Sequence, residues 1–412
     1  MSGAGIRSIL GVAARFGALA AAGLCLAQAS VAATEPAPNF DAWRTRFEAH
    51  AATAGLSPDT LRVLLADVSP DPRVLDTLQR SRGFAPPVWD YLDAAVSQAR
   101  IDTGRQLAQR DAPLLAEISR AYGVEPNVLL AVWGMETRFG AVSLDYDARR
   151  ALATLAFASP RRALFENQLV ALGGIIQRGD APADGVHSSW DGGLGQPQLM
   201  PNVFNETAVD WDHDGKRDIW NDEGDVLASI AHFLQLRGWR SSEPILVEAD
   251  APTRLPAALA HGRQSLAAWA RNGVTPLDGA VSAASDLGAK LVQPAGADGP
   301  AFLAFHNFDV LAGYNGSTRY GLAASLLAAA IAQHPPLKKQ WPRAADELSS
   351  DELREAQTLL GQLHYDVGQV DGVYGERTWR ALNAFADDIR APHIIYPTKT
   401  MLETLRTHVR SN

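Results

Sequence analysis

The chain has 412 residues, a formal net charge of -9 and a hydrophobic fraction of 47%, ample for a packed core of one large domain and one small one. An acidic balance argues against nucleic acid as a partner and against electrostatic attachment to anionic membranes. One cysteine, Cys25, excludes an internal disulfide and a cysteine metal cluster.

Residues 1–33 read as a targeting segment. Arg7 supplies a positive start, an Ala/Leu/Gly-rich stretch follows, and Ser30-Val31-Ala32-Ala33 offers small residues for cleavage before Thr34. Arg15 interrupts the apolar run, which argues against a permanent membrane helix, and no later stretch is apolar enough to span a bilayer. Leu24, rather than a small residue, precedes Cys25, so a secreted protein is expected rather than a lipoprotein. Cleavage would remove Cys25, Arg7 and Arg15 but no acid, taking the charge from -9 to -11.

From Phe40 to about Arg240 the pattern is mostly helical, with Ser57-Pro58-Asp59 and Asp71-Pro72 as helix starts. The most informative helix opens at Pro126 and carries Val128, Leu129, Val132 and Trp133 as an apolar stripe. Glu136 lies one turn beyond Val132 and Trp133, so its carboxyl points onto the buried face, and Gly140 is expected to end the helix. A carboxyl placed there either pairs, with Arg138 as the local partner, or stays protonated and acts as a general acid. Next comes an apolar helix, Ala151-Leu152-Ala153-Thr154-Leu155-Ala156-Phe157, expected to end in Arg161 and Arg162. There the arginines either complement the helix dipole or hold substrate carbonyl and carboxylate groups.

The stretch from Ser188 to Pro201 is glycine-rich. Ser189, Gln196 and Gln198 offer hydrogen bonds, and Trp190 offers a face for a sugar ring. Asp210-Trp211-Asp212-His213-Asp214-Gly215 then sets acids at alternate positions with Gly at the sixth, like the start of a calcium loop. Asn221 stands where a bidentate acid would close such a loop, so Asp222 or Asp225 would have to close a longer one, with the Lys216 carbonyl contributing. The structural alternative is a solvated acidic turn that caps the next helix. Between about Glu243 and Phe308 short strands appear at Pro244-Ile245-Leu246-Val247 and Lys290-Leu291-Val292, with a helical piece at Leu266–Arg271. Tyr314-Asn315-Gly316-Ser317-Thr318-Arg319-Tyr320 precedes an Ala/Leu-rich helix to Gln333, and residues 335–347 read as a linker. In the remaining residues, 348–412, Leu353, Ala356, Leu359, Leu360 and Leu363 mark one amphipathic helix, and Trp379, Leu382, Phe385 and Ile389 a second.

Taken together, Glu-Thr-Arg-Phe-Gly at Glu136, the Ala-Leu-Ala-Thr-Leu-Ala-Phe run with its Arg-Arg pair, Gly-Gln-Pro-Gln-Leu-Met-Pro and Tyr-Asn-x-Ser-x-x-Tyr resemble the lytic murein transglycosylase B family, over about Phe40 to Ala332. The resemblance implies a mainly α (α+β) protein: a lysozyme-like catalytic domain over residues 34–334 with a small β-containing insertion. It implies a periplasmic enzyme of a Gram-negative bacterium acting on peptidoglycan glycan strands, with cell-wall synthesis or lysis complexes as further partners. Glu136 would be the sole acid/base, needing no cofactor, and Arg161, Arg162, Ser189, Trp190, Gln196, Gln198, Tyr314, Asn315 and Tyr320 would bind substrate. A structural calcium on Asp210, Asp212, Asp214, Lys216 and Asp225 is implied as well. Asp191 is the largest departure, a charge where the family carries a small residue. Leu353-Arg354-Glu355-Ala356-Gln357, Gly368, Asp371-Gly372, Gly375 and Thr378 resemble the three-helix peptidoglycan-binding domain, with Phe385-Ala386 departing from its usual Phe-Gln. Two other functions stay open: a hydrolytic muramidase, invited by Asp191, and a non-catalytic wall-binding or scaffold protein.

Overall fold

A computed structural model describes residues 39–411 apart from 81–86, 181–184, 253–261, 278–280, 282–285, 297–298, 344–347, 373, 375 and 392–396. The expected targeting segment 1–33 with Cys25, the end of the expected linker and Gly375 lie outside the described residues.

The described residues begin with six helices: α1 (Phe40–Thr53), α2 (Pro58–Leu64), α3 (Pro72–Arg80), α4 (Val88–Ala95), α5 (Gln98–Arg110) and α6 (Ala112–Tyr122). The next, α7 (Pro126–Thr137), starts on proline and is apolar all round. Val128 to Gly134 are all buried, so this helix is the axis of the main core rather than an amphipathic surface element. A short strand β1 (Tyr146–Asp147), helices α8 (Ala148–Ala158) and α9 (Arg162–Arg178), strand β2 (His187–Ser188), and helices α10 (Pro201–Thr207) and α11 (Glu223–Leu236) follow. Strands β1 and β2 pair antiparallel, Tyr146 opposite Ser188, and this ribbon delivers the glycine-rich turn over α8.

The β-containing insertion consists of β3 (Leu246–Asp250), β4 (Gln264–Ser265), α12 (Leu266–Arg271), β5 (Thr275–Pro276), β6 (Gly288–Val292) and β7 (Ala301–Ala304). Its strands form one antiparallel sheet in the order β4-β6-β7-β3-β5, with Leu246 opposite Ala304 and Leu291 opposite Leu303. Alternation along β7 divides two cores. Phe302 and Ala304 face the helical body beside Val88 and Leu92, while Leu303 and Phe305 pack with Trp269 on the other side. The chain re-enters the helical body through α13 (His306–Tyr314) and α14 (Thr318–Ile331), whose small residues Ala323, Ala324 and Ala328 are buried.

Residues 335–343 depart from the free linker that their proline and lysine content suggests. The Glu248 carboxylate accepts the backbone amides of Lys338 (2.7 Å) and Lys339 (2.8 Å), Arg343 pairs with Asp93 (2.7 Å), and Trp341 packs on Phe302. This segment is a strap docked on β3, β7 and α4. Beyond it, α15 (Ser350–Gln362), α16 (Glu376–Asp388) and α17 (Lys399–Ser411) enclose their own core of Leu353, Leu360, Phe385, Leu402 and Leu405. Four of the residues that carry the resemblance in this module, Gln357, Asp371, Gly372 and Thr378, are joined by hydrogen bonds. Buried Gln357 donates to Asp371 (2.9 Å) and Thr378 (3.0 Å) and accepts from the Gly372 amide (2.9 Å), pinning the turn between the helices.

Candidate active site

Glu136 occupies the last turn of α7, and the helix stops earlier than Gly140 suggests. Arg138 (φ 53°), Phe139 (φ 59°) and Gly140 (φ 79°) all adopt the left-handed conformation. Two of these are not glycine, at a cost of about 1 kcal/mol or more each, so packing must hold the turn. It does so by folding the Phe139 ring back under α7, edge-on to Trp133 (5.7 Å between centroids) and against Gly134, where a Cβ would stand 2.6 Å from the ring. Thr137 Oγ1 donates to the Gln196 carbonyl (2.9 Å), and Trp133 Nε1 donates to Gln196 Oε1 (2.8 Å).

The Glu136 carboxyl has one oxygen, Oε1, sealed from solvent and without a hydrogen-bond partner. The local salt bridge to Arg138 does not form, because Arg138 lies exposed beyond the helix end. Burial pushes the carboxyl up to about 7; the Tyr320 hydroxyl pulls it down and the charge of Asp191 pushes it up further. The Tyr320 hydroxyl is itself buried, and it faces the carboxyl without closing a well-formed hydrogen bond.

The Tyr-Asn-x-Ser-x-x-Tyr spacing has a local explanation. Tyr314 ends α13, Ser317 caps α14 by accepting the Tyr320 amide, and the reversal stacks the two tyrosine rings 6.0 Å apart at 7°. Tyr314 Oη donates to the Pro197 carbonyl (2.8 Å), which ties this corner to the glycine-rich turn. Burial raises the pKa of both tyrosines well above the ordinary value, and the nearby Glu136 charge adds to it, so they stay neutral. Tyr91 on α4 also sits within the field of Glu136, a neighbour with no signal in the sequence.

Glycine is required where the turn meets α8: Gly192 has φ 91°, and a Cβ there would lie 2.3 Å from a Leu152 methyl. Within the turn Ser189 Oγ donates to Asp191 Oδ1 (2.6 Å) and accepts the Gly193 amide (3.0 Å). Asp191 is thereby fixed in the cleft wall.

These parts enclose a cleft of about 580 Å³ lined by Glu136, Arg161, Ser189, Trp190, Asp191, Gln198, Tyr314 and Asn315, with Phe165, Gln168, Leu155, Leu164, Met200 and Leu78. A larger groove of about 1010 Å³ lies between α3 and the C-terminal module, away from Glu136. Three expected residues do not line the cleft, Tyr320 among them, whose buried hydroxyl faces the Glu136 carboxyl from within the protein. Gln196 lies behind the wall, its amide turned to Trp133 and to the Trp220 carbonyl (2.7 Å). Arg162 is the first residue of α9, exposed and off the cleft. The arginine pair does not end α8, which stops at Ala158. Pro160 disfavours helix at the residue before it, and Arg161 stands at the N-cap position of the next helix without a side-chain capping bond. Phe165 and Gln168, missed in the sequence, follow Arg161 at four and seven residues along α9, a spacing that could have revealed them.

The acidic loop brings Asp210, Asp212 and Asp214 together, with carboxylate oxygens within 4.8 Å of one another. Asp225 is not part of that group. It is buried and accepts the amides of Trp211 (2.7 Å) and Asp218 (2.6 Å), while Asp222 caps α11 through the Asp225 amide (2.9 Å). Three carboxylates at alternate positions form a hard-oxygen set that fits calcium, and the Asp225 carboxylate instead shapes the loop from inside.

A family model described as the transglycosylase SLT domain matches residues 39–329. The membrane-bound lytic murein transglycosylase B of Escherichia coli (strain K12) is 30% identical over 220 residues, 52% of this chain and 58% of that relative's length. SltB3 from Pseudomonas aeruginosa, solved in complex with NAG-anhNAM-pentapeptide, is 36% identical with a TM-score of 0.71, over 90% of this chain and 100% of that one. A lytic transglycosylase of Escherichia coli solved with calcium is 25% identical with a TM-score of 0.62, over 70% and 92%.

Proposed function

Since the chain belongs to the transglycosylase SLT domain family, we propose that it is a lytic transglycosylase of peptidoglycan. It breaks the bond between N-acetylmuramic acid and N-acetylglucosamine without water and leaves 1,6-anhydromuramic acid ends. The observation that carries this reading is Glu136, sealed at Oε1, without an ion pair among the described residues and raised to about 7. A carboxyl so placed titrates close to neutral pH, so it can carry a proton, lose it and regain it during turnover. Glu136 protonates the glycosidic oxygen as its bond to C1 breaks. Now ionised, it accepts the proton of the muramoyl C6 hydroxyl as that oxygen bonds to C1, which returns the enzyme to its starting state. One carboxyl serves twice, where most glycosidases use two.

The roles of the other cleft residues follow from chemistry. Ser189, Gln198 and Asn315 offer donors and acceptors to substrate amide and hydroxyl groups, and Trp190 offers an apolar face. Arg161 is a cation at a helix N-terminus, where the dipole disfavours it, which supports a substrate-binding role. The complex of SltB3 with NAG-anhNAM-pentapeptide supports the substrate class. A hydrolytic muramidase is the second reading, favoured only by Asp191 in the cleft wall.

Asp210, Asp212 and Asp214, with the Lys216 carbonyl, would hold calcium as a structural ion, a reading supported by the calcium-bound relative. The C-terminal module would hold the enzyme at the wall, and residues 1–33 would direct it to the periplasm. Among the described residues no helix is long and apolar enough to cross a membrane. Incubating sacculi with Glu136→Gln is expected to release no soluble fragments while the variant still pellets with the wall; release at the wild-type rate would contradict the reading.

A further inference from the structure

We propose that Gln196 is a positioning residue that fixes the catalytic helix end against the cleft wall, rather than a substrate ligand; the inference rests on the activity proposed above. Gln196 makes four hydrogen bonds to two segments, α7 and residues 219–220. Its Oε1 accepts from Trp133 Nε1 (2.8 Å), its carbonyl accepts from Thr137 Oγ1 (2.9 Å), its Nε2 donates to the Trp220 carbonyl (2.7 Å), and its amide donates to the Ile219 carbonyl (2.8 Å). The first two partners flank Glu136 on α7; the last two lie just beyond the acidic loop. Both ends of the side-chain amide are thus committed within the protein. Gly140 closes over it so tightly that a Cβ there would stand 2.4 Å from Oε1.

The geometry explains why such a clamp is needed. Glu136 Oε1 has no partner of its own, and the residues after it run left-handed through Arg138 and Phe139, so the helix end is strained and must be held from outside. Gln196 also belongs to the turn that carries Ser189 and Gln198. Through it the acid and the substrate-contacting wall share one frame, and a small slip between them would misplace the proton relative to the glycosidic oxygen.

The test compares wild type, Gln196→Met, which keeps volume and removes both amide contacts, and Thr137→Val, which removes the hydroxyl link and keeps shape. Rates are measured on soluble peptidoglycan oligosaccharides across pH, with Glu136→Gln as control. The expected result is a kcat lower by about 10- to 100-fold in Gln196→Met and a smaller loss in Thr137→Val. KM should stay within about two-fold. The basic limb of the pH profile should move to lower pH, because a carboxyl released from its seat is less well sealed from water. Glu136 is faced there by Asp191, Tyr320, Tyr314 and Tyr91, all unchanged in these variants. Wild-type kcat and pH profile in both variants, or a raised KM with unchanged kcat, would overturn the role, the second by assigning Gln196 to substrate. If Gln196→Met does not fold, Thr137→Val decides by the same readings. An inert wild type would overturn the activity itself and this role with it, whereas an active wild type beside unaffected variants overturns the role alone.

Discussion

Glu136 carries a conflict between stability and chemistry that can be measured in the absence of substrate. Below its ordinary value of 4.5 the carboxyl is protonated in folded and unfolded chains alike. Between 4.5 and about 7 the unfolded chain ionises freely while the folded one resists, so stability falls as pH rises and levels off above 7. Converted at 1.36 kcal/mol per pH unit, the full penalty is about 3 kcal/mol. Glu136→Gln removes it, so the variant should melt higher than wild type at pH 8 and nearly with it at pH 4; equal melting at both would refute the burial argument. The neighbours tune the same proton in opposite directions. Asp191→Ala should move the basic limb of activity to lower pH, and Tyr320→Phe should move it to higher pH, because the first removes a repelling charge and the second a donor to the ionised form. Seven of the expected cleft residues could be read from motif alone. Gln196 misled because a sequence shows that an amide is present but not which way it turns, and the three glycine and tryptophan contacts that turn it inward come from distant segments.

Among the elements, the acidic loop makes the clearest prediction. If Asp210, Asp212 and Asp214 hold calcium, saturating the ion at 100 times its dissociation constant adds about 2.7 kcal/mol of stability. Chelator should then lower the melting temperature by several degrees in wild type and leave Asp212→Ala unchanged. A wild-type melt indifferent to calcium would leave the loop as an acidic turn that caps α11 through Asp222. Helix positions were legible where caps and periodicity agree: α2 begins behind Ser57 and α12 spans Leu266–Arg271 as expected. They were less legible where long-range packing overrides a local rule. The end of α7 ignores the glycine three residues on, since Phe139 gains more by folding under Gly134 than a left-handed backbone costs.

For the whole molecule, the described part of residues 335–347 behaves as a docked strap, which composition could not reveal because its partners, Glu248, Phe302 and Asp93, come from β3, β7 and α4. The C-terminal helices close their own core, so removing residues 348–412 should leave turnover of soluble oligosaccharides intact. Retention on sacculi should fall by about 100-fold, the gain that a linked second site confers. Undiminished retention would mean that the module is not a wall anchor.

The most direct measurement is mass spectrometry of the fragments released from purified sacculi by wild type and by Glu136→Gln. One acid working without water predicts fragments with 1,6-anhydromuramic acid ends, lighter by one water than hydrolytic products and absent with the variant. Reducing ends would contradict it, moving the second step to a water molecule and attention to Asp191.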